Sequence, residues 1–318
     1  MFIFDRPDFS VFVDDVTDHK DNNLFRSNEK RELSKKLEKS EKCCTSLLEE
    51  SLKELDELVG LKNVKELIER YLAFVKIQDM RAVYSLLKLP PVMNMIFKGN
   101  PGTGKTTVAR LVGKIFNAAG ILDKGQIIEA SRVDLVGEYI GHTAQKTKNL
   151  IEKALGGVLF IDEAYALARG GNRDFGREAV DTIVKYMEDK RQELIIILAG
   201  YTEEMEQFLD LNPGLNSRFA LKLEFLDYTV EELIKIADLM YKKREYILSP
   251  AGKNYLYKII KFFNNSNKMS GNGRMIRNIV ESSIRYHANR ISAKKVISRK
   301  DLMLIKRKDL LGVVSLGK

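Results

Sequence analysis

Between Val59 and Phe225, short and mostly apolar runs alternate with longer stretches whose apolar positions recur every three or four residues. The short runs predict buried strands, and the longer spacing predicts helices packed by one face. Strands are expected at Val92–Lys98, Ile127–Ala130, Val158–Ile161, Leu194–Ala199 and Leu221–Phe225. Helices are expected over 62–87, where Pro90–Pro91 ends the first, then 106–119, 142–155 and 175–189, with a short one before the last strand. Five strands separated by helices predict a parallel sheet covered on both faces. From Thr229 the strand pattern vanishes, and helices near 229–243, 249–264 and 273–290 predict a small bundle. Residues 58–227 therefore form an expected α/β domain and 228–291 a helical one, with a basic tail at 292–318. Before them, 1–24 lack periodicity apart from a short strand at Val11–Val13. Residues 29–58 read as a charged helix with apolar positions at Leu33, Leu37, Leu47, Leu48, Leu52 and Leu55. That helix either packs beside the main domain or serves as an adaptor segment. The whole of 1–57 is an N-terminal extension.

With 44% apolar and 31% charged residues over 318 positions, the chain can bury a sizeable core and is not mostly disordered. No run approaches the ~20 apolar residues needed to span a bilayer, and the acidic start is unlike a signal peptide. Cys43 and Cys44 are adjacent, a poor basis for a structural disulfide and too few for a zinc site. A reducing cytoplasm is the simplest compartment. Charge is unevenly spread: −5 over 1–58, +1 over 59–249 and +13 over 250–318. The basic end could contact nucleic acid or meet acidic surfaces of a neighbouring subunit. No aromatic stacking pattern accompanies it, which disfavours nucleic acid.

Gly99-Asn100-Pro101-Gly102-Thr103-Gly104-Lys105-Thr106 fits G-x-x-x-x-G-K-[ST], between an expected strand and an expected helix. Glycines let backbone N–H groups curl around a phosphate, and the helix N-terminus adds partial positive charge. Lys105 can reach the β- and γ-phosphates, and the Thr106 hydroxyl can hold Mg²⁺. The apolar run Val158–Ile161 then delivers Asp162 and Glu163 at a strand's C-terminal end, where ligands bind in open α/β sheets. Asp162 can join the Mg²⁺ shell, and Glu163 can polarise an attacking water.

Seven segments carry a family resemblance: LDELVGLKNVK (55–65), KGNPGTGKTTVAR (98–110), DLVGEYIGHTAQKT (134–147), GGVLFIDEAYAL (156–167), LAGYTEEM (198–205), NPGLNSRF (212–219) and GNGRMIRN (271–278). Over 58–291 the chain resembles AAA+ ATPases. Within them it is most similar to the subfamily of the stage V sporulation protein K and the CbbX-type red rubisco activases. The resemblance implies a P-loop NTPase fold with a five-stranded parallel sheet and a helical lid. It implies ATP and Mg²⁺ as ligands, with Asn100, Pro101, Gly102, Thr103, Gly104, Lys105, Thr106 and Thr107 around the phosphates. Val59 and Gly60 match the segment bordering the adenine, and Arg274 matches a lid arginine that senses the γ-phosphate. Arg277 is a poorer match. Arg218 matches an arginine finger offered to a neighbouring subunit, although alone it would read as a surface arginine. At the position where many members carry Asn, this chain has Ala199-Gly200-Tyr201-Thr202. Thr202 is either the water-orienting hydroxyl or the N-cap of the following helix. Tyr139-Ile140-Gly141 matches a pore loop that grips polypeptide. The alternative is a Tyr buried on a turn.

The resemblance thus implies a homo-oligomeric ring, six copies in expectation, that couples ATP hydrolysis to remodelling a protein client, with no membrane partner. A sporulation role is favoured over a rubisco-activase role by the Lys-, Asn- and Ile-rich composition. A nucleic-acid motor, such as a helicase or clamp loader, and a nucleotide-dependent switch are the other classes.

Overall fold

Five parallel strands organise the larger part of the chain: β1 (Met95–Gly99), β2 (Ile127–Ala130), β3 (Val158–Ile161), β4 (Ile195–Gly200) and β5 (Leu221–Phe225). Their order across the sheet is β2-β3-β4-β1-β5. Every residue of β3 and β4 is buried, as parallel strands covered on both faces require. This computed structural model describes residues 46–89, 93–139, 141–169, 175–265 and 271–314. Val11–Val13 and 29–45 lie outside the described residues.

Two apolar layers sandwich the sheet. On one face, a helix over 46–56 (α1), α2 (Lys62–Val83) and α3 (Lys105–Ala118) bury Leu55, Ile68, Val112 and Phe116. On the other, α4 (Arg132–Leu135), α5 (His142–Ala154), α6 (Gly176–Asp189) and α7 (Thr202–Asp210) bury Leu135, Ile151, Ile183 and Phe208. The short α8 (Pro213–Arg218) leads into β5. A fully buried Leu or Phe contributes about 1.5–3 kcal/mol, so these layers dominate the energetics.

A third apolar cluster belongs to a lid built from α9 (Val230–Lys242), β6 (Ile247–Leu248), α10 (Pro250–Asn265), α11 (Asn272–Ser292), α12 (Arg299–Met303), β7 (Leu304–Ile305) and α13 (Arg307–Val314). Thr229 caps α9: its hydroxyl accepts from the Glu232 N–H, and the Glu232 carboxylate accepts from the Thr229 N–H.

The structure corrects four expectations. The helix over 62–87 ends at Val83, well before the prolines, because Ser85 turns left-handed (φ +55°). The Ser85 N–H then bonds to the Ala82 carbonyl, and the Leu86 N–H to the Arg81 carbonyl. The strand expected from Val92 starts at Met95, and Val92 itself is outside the described residues. Strands do not vanish after Thr229, since β6 and β7 pair in parallel. Nor is 292–314 a tail: Ile305 and Leu310 are fully buried in the lid cluster.

Asp309, 1% exposed, ties that C-terminal segment down. It accepts from Arg290 Nε at 2.6 Å and Nη2 at 2.8 Å, and from the Lys306 N–H at 2.8 Å. Asp309→Ala is expected to destabilise the lid by about 1–3 kcal/mol, because Arg290 and the Lys306 N–H lose their shared acceptor. Denaturant unfolding checks this, and a change under ~1 kcal/mol would mean that the pair is dispensable.

Candidate functional site

The glycine-rich loop joins β1 to α3. Gly102 (φ +75°) and Gly104 (φ +100°) are left-handed, a conformation glycine adopts without strain. Gly102 is also crowded: a Cβ there would stand 2.5 Å from the Gly271 carbonyl and 2.8 Å from the Arg274 nitrogen. Inside the loop the buried Thr103 donates its hydroxyl to the Asn100 carbonyl at 2.8 Å. Lys105 Nζ donates to the Gly99 and Asn100 carbonyls at 2.7 and 2.9 Å, spanning the loop. Burial is the largest influence on Lys105 and lowers its pKa; Asp162 opposes this, Arg274 adds to it, and Asp227 opposes it. A bound polyphosphate would supply the counter-charge that this amine lacks.

The lid rests directly on the loop. The Gly273 N–H donates to the Gly102 carbonyl at 3.0 Å, and the Tyr228 hydroxyl donates to the Thr103 carbonyl at 2.9 Å. Burial pushes the Tyr228 phenol up to about 12. The buried Asn272 joins both parts: its amide donates to Asp227 at 2.7 Å, and its carbonyl oxygen accepts from the Tyr228 N–H at 3.1 Å. Asp227 also accepts from the Asn100 amide at 2.9 and 3.0 Å. Tyr228, Asp227 and Asn272 escaped sequence reading, because nothing local marks a contact spanning 125 to 171 residues.

Asp162 and Glu163 follow β3 at the same end of the sheet. Glu163 is left-handed (φ 49°, ψ 45°), and its N–H donates to Asp162 Oδ1 at 3.0 Å. A non-glycine residue held there carries strain of about 1–3 kcal/mol, which sites tolerate when it aims a side chain. Beyond it, Tyr165 stacks on Tyr201 at 5.8 Å, with Arg169 4.8 Å over the Tyr165 ring. Gly200 makes room, since a Cβ would meet Tyr165 at 2.7 Å. Burial pushes the Tyr165 phenol up to about 12, helped by the Glu163 charge.

These parts surround one cleft of about 610 Å³ between sheet and lid. One end is polar, with Lys105, Thr106, Thr107, Asp162, Glu163 and Arg274. The other is apolar, with Leu58, Val59, Leu61, Ile236, Leu239 and Met240. A flat base suits the apolar end and a polyphosphate the cationic end. Thr106 and Asp162 fit a hard divalent cation that also takes phosphate oxygens and waters.

Most predicted residues meet here, but some serve other ends. Pro101, Gly102 and Gly104 line the cleft, whereas Asn100 and Thr103 brace the loop. Val59 lines the apolar end. Gly60 does not, but a Cβ on it would come 2.6 Å from Glu232 of the lid. The N-cap reading of Thr202 is corrected: it is the first residue of α7, behind the N-cap Tyr201, and Tyr201 lines the cleft. Arg277, judged the poorer match, joins Arg274 on the wall, one helical turn along α11. Glu54 and Glu57 reach the cleft from the N-terminal extension, which no motif signalled. Arg218 is away from it: Nη1 donates to the Gly214 carbonyl at 2.8 Å, and Nε donates to Glu188 at 3.0 Å.

Tyr139 is 66% exposed at a loop tip, which rules out a core role. Its ring stands edge-on to His142 at 5.5 Å, and Gly141 (φ +83°) has open space around it. The stem is firm: the Gly137 N–H donates to the buried Thr143 hydroxyl at 3.0 Å, and Thr147 donates to the Leu135 carbonyl at 3.1 Å. Ile140 lies outside the described residues.

A P-loop sheet capped by a helical lid, with the cleft between them, defines a nucleotide-binding ATPase module. Family comparison agrees. Residues 95–226 match the model of the ATPase family associated with various cellular activities, and 229–312 match an AAA lid domain. The chain is 52% identical over 268 residues to stage V sporulation protein K of Bacillus subtilis, covering 83% of each. It is 44% identical over 244 residues to protein CbbX of Cereibacter sphaeroides, covering 76% of this chain and 79% of that one. This chain belongs to the AAA+ ATPases and hydrolyses ATP. A RuvB structure from Thermotoga maritima shares the fold, with TM-score 0.55 and 20% identity, over 82% of this chain and 71% of that one. Among the described residues no helix is long and apolar enough to cross a membrane.

Proposed function

We propose that the chain works as an ATP-driven motor that remodels a protein client from within a ring of identical subunits, six in number. The observation that carries this reading is the pairing of an ATP cleft with a firmly stemmed loop that presents Tyr139 to solvent. An exposed aromatic ring grips extended polypeptide through its face without reading sequence. In the cleft, Lys105 and the loop N–H groups hold the phosphates in line. Thr106 and Asp162 hold Mg²⁺, which neutralises phosphate charge when bound. Glu163 takes a proton from the attacking water. Arg274 on the lid follows the γ-phosphate, and Arg218 completes the cleft of a neighbouring subunit. In this reading the client belongs to spore formation, supported by the greater identity to the sporulation protein than to CbbX. The alternative client within the subfamily is a red-type rubisco.

Tyr139→Ala tests the proposal. Basal ATPase is expected to stay within about twofold, a barrier change under ~0.5 kcal/mol. Stimulation of turnover by a permanently unfolded test polypeptide is expected to disappear, with Tyr139→Phe largely spared. Stimulation by single-stranded DNA and not by polypeptide would instead favour a nucleic-acid motor.

A further inference from the structure

The lid carries a second concavity of about 530 Å³ that shares no lining residue with the nucleotide cleft. After α9 the chain reverses through Glu245, held left-handed at φ +60°. The Tyr246 N–H closes that turn on the Tyr241 carbonyl at 2.9 Å. The turn brings Lys242 and Arg244 to one rim, and the start of α12 brings Arg299 to the other. The floor is apolar and open: Ile247 is 55% exposed and Leu302 54%, with Val296 (84%) and Ile297 (45%) also exposed nearby in sequence.

Charge there is unbalanced. The side chains of Lys242 and Arg299 have no ion pair or hydrogen bond among the described residues; Arg244 Nη1 donates to the Met240 carbonyl at 3.1 Å, and Nη2 meets Glu281 only at 4.0 Å. Glu245 is the only acid in the lining. A groove with spare cations over aliphatic side chains suits an acidic peptide bearing large apolar residues. A nucleic acid would satisfy the cations but leave the aliphatic floor poorly covered.

The chain itself contains such a peptide. Residues 1–24 hold six aspartates against Arg6 and Lys20, together with Phe2, Ile3, Phe4, Phe9, Val11 and Phe12. We propose that residues 1–24 dock into this lid groove of their own chain, on Lys242, Arg244 and Arg299 over Ile247 and Leu302. Reach is ample. Glu57, just beyond α1, lines the nucleotide cleft together with Lys243, the neighbour of Lys242. Helix α1 is only ~16 Å long, and the 21 residues from 25 to 45 can span up to ~70 Å. Tethering gives the segment a high effective concentration, so modest contacts suffice. Docking also accounts for the opposed charges of the chain's two ends.

Amide hydrogen exchange over residues 1–24 of the full chain tests this. At low salt the wild-type segment is expected to exchange about tenfold or more slowly than an isolated 1–24 peptide. Lys242→Glu with Arg299→Glu should remove that protection, and 0.5 M salt should weaken it. Ile247→Ser with Leu302→Ser should remove it without changing charge. Basal ATPase should be unaffected, since none of these residues lines the nucleotide cleft. Equal exchange in wild type and both variants sinks the proposal. Protection that rises with protein concentration overturns it in favour of docking on a second copy, and displacement by an equimolar oligonucleotide in favour of a nucleic-acid groove.

Discussion

An Arg218→Ala protein is expected to bind ATP almost normally and to hydrolyse it on the order of 10³–10⁵ times more slowly, the scale of a lost arginine finger. Arg218 closes α8 and does not line its own chain's cleft. Its guanidinium is engaged with Glu188, whose side chain is 63% exposed. A surface pair of that kind contributes ~0–1 kcal/mol, so a neighbour's γ-phosphate can draw the arginine away at little cost. In the proposed reading its effect on turnover arises across an interface between copies. Mixing Arg218→Ala with Lys105→Ala separates the possibilities. In mixed assemblies an intact Arg218, carried by the Lys105→Ala subunit, faces an intact Lys105 cleft, and part of the activity should return. If light scattering confirms co-assembly and no activity returns, the arrangement in trans is wrong.

What could be read from the sequence followed from how local its causes are. The fully buried runs of β3 and β4 are visible because a parallel strand covered on both faces has no polar alternation to dilute it. The phosphate loop is visible because its backbone shape demands glycine at fixed positions. The end of α2 was hidden because Ser85, and not a glycine, takes the left-handed position. Residues 292–314 gave no signal because α12 has five residues and β7 two, too few for periodicity. They are held by contacts from elsewhere, chiefly Asp309 with Arg290. At the cleft, the motif supplied the phosphate end, whereas the lid's share depends on where α11 lands. Thr202 illustrates the limit: a shift of one residue at the start of α7 exchanges its place for that of Tyr201.

That landing links chemistry to motion. Asn272 and Gly273 bond to the residues around the loop, and Arg274 follows on the same turn of α11. In the proposed reading, in which Arg274 follows the γ-phosphate, a change there acts on a helix of 21 residues that runs through the lid core.

Glu163→Gln should separate holding ATP from hydrolysing it. The substitution keeps size and shape but removes the basic oxygen, so turnover is expected to fall by roughly 10²-fold or more, about 2.7 kcal/mol of barrier. Binding should persist, because the phosphate loop, Lys105 and the apolar end of the cleft are untouched. Glutamine is chosen over alanine because it keeps the length and shape of the side chain. The strain at φ 49° and ψ 45° arises from the β-carbon, which glutamate and glutamine share, so the backbone is left as it is. The Glu163 N–H bond to Asp162 is made by the main chain and survives, so the Asp162 carboxylate keeps its orientation. Nucleotide should then accumulate as ATP, and assemblies that depend on it should become more abundant. Fluorescent-nucleotide binding beside phosphate release reads both quantities. Turnover within twofold of wild type would remove Glu163 from the mechanism, whereas equal loss of binding and turnover would assign it to holding the nucleotide.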